Sequence, residues 1–289
     1  MANPLRLGGR TFRPDELVVM AIVNRTPDSF FDKGATFAPD AALAAAETAV
    51  ADGADIIDIG GVKAGPGADV PPQEEIRRTV DTVAAVRDRF PQVVISIDTW
   101  RAQVATEAVA AGADLINDTW SGADPDLAEV AAATGAGLVC AHAGGLAPRT
   151  RPHRAAFADV VADVVATVTR LADRAVQLGV REDGILIDPA HDFGKNTYHS
   201  LEITRRLDEL VATGWPVLVA LSRKDFVGET LEVPPPQRLT GTLATTAVSA
   251  WLGARVFRAH DVAATRQVLD MVASIRGDRP PAVSRRGLA

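Results

Sequence analysis

Short apolar, β-branched runs alternate with longer Ala/Glu/Arg-rich amphipathic stretches along most of the chain. The runs predict strands at Val18–Val23, Asp55–Ile59, Val93–Ile97, Leu115–Ile116, Gly137–Cys140, Ile185–Ile187, Val217–Ala220 and Arg255–Phe257. Helical spacing covers about Pro39–Asp52, Gln73–Phe90, Arg101–Ala111, Pro125–Thr134, Ala155–Leu178, Leu201–Thr213, Pro236–Leu252 and Val262–Ile275. Gly53, Gly112 and Gly179 suit left-handed helix ends, and Pro39 and Pro125 suit first turns. A β-then-α unit repeated about eight times, with nearly continuous apolar strands, implies a parallel sheet covered by helices. Eight units in 289 residues fit an α/β chain closed into a single (β/α)8 TIM barrel better than an open doubly wound sheet. The first strand runs into Val23-Asn24-Arg25-Thr26-Pro27, which lacks the G-x-G-x-x-G turn of the open alternative. No shift in composition divides the chain, so residues 1–289 read as one domain, with the barrel over about 18–276. The first residues and the tail Arg276–Ala289 read as an extra strand or loop and a loose end.

Composition narrows the function classes. The chain is 47% hydrophobic and 23% charged, ordinary globular usage that excludes a disordered or collagen-like protein. Thirty Lys+Arg against 37 Asp+Glu give a net charge of −7, which argues against nucleic acid as a partner but leaves room for a local basic pocket. The lone Cys140 has no internal disulfide partner, so a reducing compartment is the simplest setting. The N-terminal stretch has no apolar core of a secretory signal, and no apolar run spans a bilayer, so a cytoplasmic location without membrane contact is expected.

In a barrel of this kind, reactive groups stand at the C-terminal ends of the strands. Asn24 and Thr26 follow the first apolar run, with Asp32 farther along the same loop. The second run carries Asp58 and leads into Gly60-Gly61; the third ends at Asp98, and the fourth at Asn117-Asp118. His142 follows the fifth, Asp188 the sixth, Ser222-Arg223-Lys224 the seventh, and Arg258-Ala259-His260 the eighth. Asp98, Asn117, Asp188 and Lys224 together suit a flat heterocycle with an amino-pyrimidinone edge, because carboxylates accept paired donors and an amide both donates and accepts. Arg258 and His260, two apart on an extended chain, can address one anion, and Asn24 could share a Mg²⁺ with it. Taken singly, Asp58 reads as a structural acceptor for loop N–H groups, Asp118 and Asp55 as cap or loop partners, and His142 as a packed histidine. Arg77 and Arg101 read as solvated surface charges, and His153 and His199 have no evident partner. The five histidines are scattered and no His-x-His follows the first strand, so zinc is not expected; nor is there a G-x-S-x-G elbow.

Six motifs in register carry a family resemblance. Met20-Ala21-Ile22-Val23-Asn24-Arg25-Thr26-Pro27-Asp28-Ser29-Phe30, Ile95-Ser96-Ile97-Asp98-Thr99, Leu115-Ile116-Asn117-Asp118, Asp188-Pro189 with Phe193-Gly194-Lys195, Ser222-Arg223-Lys224, and Arg258-Ala259-His260-Asp261 together resemble the dihydropteroate synthase family. The resemblance implies a (β/α)8 barrel, usually a homodimer, that joins 6-hydroxymethyl-dihydropterin diphosphate to p-aminobenzoate with Mg²⁺ and release of diphosphate. By position it implies pterin-binding roles for Asp98, Asn117, Asp188 and Lys224, with Phe193 lining the pocket. It places Arg258, His260, Ser222, Thr26 and the metal ligand Asn24 at the diphosphate end, and Asp32 over the cation that forms when diphosphate leaves. Anionic Asp98 and Asp188 would stabilise that cation.

The departures fall in the loop after the second strand and in the walls of the pocket. After Gly60-Gly61 the family pattern is Glu-Ser-Thr-Arg-Pro-Gly, whereas this chain reads Val62-Lys63-Ala64-Gly65-Pro66-Gly67. Ala64 and Gly65 supply neither the hydroxyl nor the guanidinium, and Lys63 is no geometric substitute. Losing such a charged hydrogen bond costs about 1.5–3 kcal/mol. Arg25 stands for a small Val, Ala190-His191-Asp192 for a Gly-x-Gly run, Ala141-His142-Ala143 for Met-His-Met, and Ala220 for Gly. Arg25 and Lys63 could offer an anion contact to another acceptor. Three functions therefore stay open: a working synthase with rearranged loops, a diverged paralogue that binds but turns over weakly or not at all, and a methyl-transfer barrel sharing the pocket.

Overall fold

The computed structural model describes residues 4–26, 34, 36–150 and 155–287. The chain opens with two short strands, β1 (Leu5–Leu7) and β2 (Arg10–Phe12), paired antiparallel. Eight parallel strands follow: β3 (Val18–Asn24), β4 (Ile56–Gly60), β5 (Val94–Asp98), β6 (Leu115–Asp118), β7 (Gly137–Ala141), β8 (Ile185–Asp188), β9 (Leu218–Ala220) and β10 (Val256–Ala259). Their order is β8-β7-β6-β5-β4-β3-β10-β9. A parallel bridge between Ile187 and Val217 closes the ring, the Ile187 N–H donating to the Pro216 carbonyl at 3.0 Å. Outside lie α1 (Pro39–Ala51), α2 (Pro72–Arg89), α3 (Ala102–Ala110), α4 (Leu127–Thr134), α5 (Val160–Leu178), α6 (Thr197–Arg205), α7 (Leu207–Val211), α8 (Asp225–Leu231), α9 (Leu239–Trp251) and α10 (Val262–Arg276). This is the (β/α)8 TIM barrel that the alternation predicts, and each predicted strand falls within about two residues of an observed one.

Alternation along the strands builds the site. Val18, Met20, Ile56, Val94, Leu115, Val139, Leu186, Leu218 and Val256 form one buried cluster, the filling of the barrel. Val19, Ala21, Ile57, Ile95, Ile116, Ile187 and Phe257 belong to the layer between strands and helices. Because side chains alternate faces, two residues onward from each filling position the chain again faces inward. Those positions are Asp58 after Ile56, Ser96 and then Asp98 after Val94, Asn117 after Leu115, Asp188 after Leu186 and Arg258 after Val256. The apolar floor and the polar mouth are thus two levels of one face.

The first residues form the extra strand expected there, as a two-stranded hairpin that is held and not loose: Leu5, Leu7 and Phe12 are fully buried and join the barrel filling, so the hairpin plugs the end opposite the mouth. Arg255 ties it on, donating to the carbonyls of Phe12 and Arg13 at 3.2 and 2.5 Å. Residues 277–287 are exposed. Helix α5 begins at Val160 rather than Ala155, because Asp159 caps it and accepts the N–H groups of Val161 and Ala162 at 2.9 and 3.0 Å. The stretch Leu201–Thr213 is two helices, broken at Arg206 (φ −109°, ψ 28°), and α8 has no counterpart in the periodicity. Among the described residues, no helix is long and apolar enough to cross a membrane.

Candidate active site

The strand ends converge on a charged cluster inside the mouth. Arg258 Nε donates to Asp58 at 2.6 Å and its Nη2 to Asp98 at 2.7 Å, so one guanidinium bridges two carboxylates. Asn117 Nδ2 lies 3.4 and 3.3 Å from the two Asp58 oxygens, and Thr119 Oγ1 lies 3.5 Å from Asp98. Asn117 and Asp58 are fully buried, and Asn117 Oδ1 is buried without a hydrogen-bond partner. Burial pushes the Asp98 carboxyl up from the usual carboxylate range, and Arg258 pulls against that shift. Asp58, read from sequence as a loop acceptor, is therefore at the centre of the cluster. The missed signal was its parity with Ile56.

Across the mouth, Asp188 is buried, accepts the Ala190 N–H at 2.7 Å, and is pushed up by burial against the opposing charge of Lys224. The Lys224 ammonium stands 4.9 Å from the Phe193 ring centre and donates to the His191 carbonyl. Burial lowers its pKa, while Asp192 and Asp188 raise it. Trp120, also absent from the sequence reading, packs edge-on to Phe193 at 5.2 Å and extends the aromatic wall. Behind the wall, Lys195 donates to the carbonyls of His142, Ala190 and Phe193 at 2.9, 3.1 and 2.9 Å, saturating its three protons. Burial draws Lys195 down to about 7. Gly194 (φ 64°) is required here: a Cβ would stand 2.6 Å from the Ala143 carbonyl oxygen.

Ser222 Oγ lies 2.9 Å from His260 Nδ1 and accepts the His260 N–H at 3.2 Å, joining β9 and β10 at the rim. Arg223, between Ser222 and Lys224, is structural: it forms a two-pronged pair with Asp261 at 2.9 Å each and donates to the carbonyls of Pro235 and Pro236. The Arg258 guanidinium is engaged by the two carboxylates, which carry the opposite charge at bonding distance. Asn24 ends β3 opposite Gly60, and Thr26 is buried just beyond it. Asp32 lies outside the described residues, as does His153.

The altered loops are anchored away from the cluster. Arg25 is buried and turns outward: Nε donates to the Arg78 carbonyl at 2.8 Å and Nη1 to the Thr36 carbonyl at 3.4 Å. It is spent on backbone acceptors. Arg101 is no surface charge either; it is 18% exposed and donates to the fully buried Glu75 at 2.6 Å. Arg77, 68% exposed, is one. Gly61 lets the loop after β4 close on α2, where a Cβ would meet Thr79 Cγ2 at 2.7 Å. Farther along, Arg149 holds that loop through the carbonyls of Gly65 and Ala68 at 3.4 and 2.8 Å. Asp118 and Asp55 are loop partners as expected, on the N–H groups of Trp120 and Gly122 and of Val19. His142 is packed against Asp163, and His199 completes the capping box of α6 with Asn196.

Comparison with known proteins agrees with this geometry. The profile of the pterin binding enzyme family matches residues 20–260. A Mycobacterium leprae protein named inactive dihydropteroate synthase 2 is 59% identical over 287 residues, covering 98% of this chain and 99% of the relative. The dihydropteroate synthase of Haemophilus influenzae is 38% identical over 252 residues, covering 87% and 91%. The crystal structure of Yersinia pestis dihydropteroate synthase in a sulfonamide drug complex superposes with a TM-score of 0.90 at 37% identity, covering 96% of this chain and 100% of that one. The chain belongs to the pterin-binding enzyme family, as a member of its dihydropteroate synthase branch.

Proposed function

We propose that this protein binds 6-hydroxymethyl-dihydropterin diphosphate in the barrel mouth but joins it to p-aminobenzoate weakly or not at all. The observation that carries the reading is an asymmetry. The heterocycle half keeps its groups: Asp98, Asn117, Asp188 and Lys224 stand at or just beyond the C-terminal ends of neighbouring barrel strands, with the Lys224 ammonium 4.9 Å from the Phe193 ring centre. The loop after β4, by contrast, offers Ala64 and Gly65 and is held by its backbone to Arg149. The name of the 59% identical relative supports the same reading. The Asp98 and Asp188 carboxylates would take the donor edge of the pterin, and Lys224 its carbonyl. Ser222, His260, Arg258 and Thr26 would face the diphosphate. The expected acid Asp32 would act over the ring.

Mg²⁺ fits only as part of the ligand. Asn24 is one oxygen donor, and among the described residues no group of three or more His, Cys, Asp or Glu could hold a metal by itself. Bound with the diphosphate, the ion would neutralise its charge. A homodimer is the proposed assembly: Val248 and Trp251 on α9 and Met271 and Ile275 on α10 are 48%, 60%, 61% and 61% exposed on two helices that pack together. The buried, unpaired Cys140 supports a reducing, cytoplasmic setting.

The pocket assignment is tested by thermal stabilisation with the dihydropterin diphosphate and Mg²⁺. Asp98→Asn and Lys224→Ala each abolish the ligand-induced rise in melting temperature. An undiminished rise in both would remove the pterin from this pocket.

A further inference from the structure

Asp58 touches two of the groups assigned to the pocket at once. It is fully buried, accepts from Arg258 Nε at 2.6 Å, and has Asn117 Nδ2 at 3.3 and 3.4 Å from its oxygens. A carboxylate bound by a guanidinium offers only lone pairs, so the Asn117 amide must turn its NH2 toward Asp58. The amide oxygen is thereby forced to the other side. There Asn117 Oδ1 is buried and without a hydrogen-bond partner. Asn117 stands in register with Asp98 on the neighbouring strand, so the residue belongs to the polar ring of strand ends at the mouth. Left to itself, an asparagine could rotate its amide and serve either a donor or an acceptor. Next to Asp58 it cannot.

We infer that Asp58 is a positioning residue for specificity: by fixing the polarity of the Asn117 amide, it makes the pocket select a heterocycle presenting an N–H at that point and refuse one presenting a bare lone pair. The inference rests on the reading of the mouth as a heterocycle pocket, and adds to it the residue that sets which heterocycle enters. A buried acceptor facing another lone pair leaves two acceptors without a proton between them, which penalises the wrong ligand more strongly than a missing contact penalises a weak one.

The test compares binding of 7,8-dihydropterin and fully oxidised pterin, which share the amino-pyrimidinone edge and differ by a ring N–H exchanged for a bare ring nitrogen, using titration calorimetry on four proteins. The unchanged protein favours the dihydro compound by about tenfold or more. Asp58→Asn gives Asn117 a neighbour that can itself donate, and Asn117→Ser replaces the amide with a freely turning hydroxyl. Each reduces the preference to within about threefold, and the double variant loses no more than either alone. Arg258→Lys leaves Asp58 and Asn117 in place and retains the preference whatever happens to overall affinity. A general loosening of the pocket would lower both affinities together and leave their ratio unmoved. If Asp58→Asn does not fold, as judged by circular dichroism, Asn117→Ser decides: a full preference in that variant overturns the inference. Binding of neither pteridine by the unchanged protein would overturn the pocket reading as well, whereas binding with ratios indifferent to both substitutions would overturn the role of Asp58 alone.

Discussion

His142 is 1% exposed, with Nε2 2.7 Å from the Asp163 carboxylate. Burial, reinforced by the charge of Lys195, holds its pKa down to about 4 despite Asp163, and burial pushes His191 in the same direction. An unfolded chain protonates a histidine near 6.5. Between those values the unfolded state binds the extra proton, so the stabilisation is complete above about pH 6.5 and is lost as pH falls through about 4. Its full span is about 3 kcal/mol. His142→Gln should therefore close its stability gap to the unchanged protein on acidification from pH 7 to 4.5, measured by urea denaturation. A gap that stays constant or widens would show that His142 is not held neutral. Single residues were the level at which sequence and structure diverged most. Asp58 and Arg101 looked peripheral because position along the chain does not reveal that Arg258 and Glu75 come from distant strands and helices to meet them. Arg25 reads from sequence as an available anion contact because its closeness to the Thr36 and Arg78 carbonyls is a tertiary fact.

The elements were more legible. A strand buried on both faces is a short apolar run, and a helix beyond it is a longer period near 3.6, so the barrel follows from punctuation alone. What stayed hidden were elements too short for a period to show. Helix α8 is seven residues with Gly228 inside, and the hairpin strands are three residues each. The predicted start at Pro236 moved to Leu239 because Pro235–Gln237 form a tight 3-10 turn before α9. Loop chemistry belongs at this level too. Arg149 grips the loop after β4 through carbonyls, so changing that loop's side chains leaves the grip in place. Restoring the missing pair as Ala64→Thr with Gly65→Arg should raise p-aminobenzoate-dependent turnover roughly tenfold to a hundredfold over the starting level. No gain would place the defect in the Ala190-His191-Asp192 wall, where Ala190 and Asp192 hold φ of 47° and 70° without being glycine.

Taken whole, the molecule is a barrel with its apolar filling sealed at one end by the hairpin and its polar level at the other. Its outer surface carries one more feature, the apolar face of α9 and α10. If the proposed dimer forms through this face, Trp251→Glu shifts the mass in light scattering after gel filtration from two chains to one, with pteridine binding retained; a mass unchanged by the substitution would remove this face from the assembly. Pocket retention without turnover is tested most directly by assaying diphosphate release from the dihydropterin diphosphate with Mg²⁺, with and without p-aminobenzoate, beside a melting curve of the same sample. A ligand-induced rise in melting temperature with no acceptor-dependent diphosphate is the expected result. Diphosphate released only when p-aminobenzoate is present, with dihydropteroate as the product, would make the protein a working synthase and contradict it.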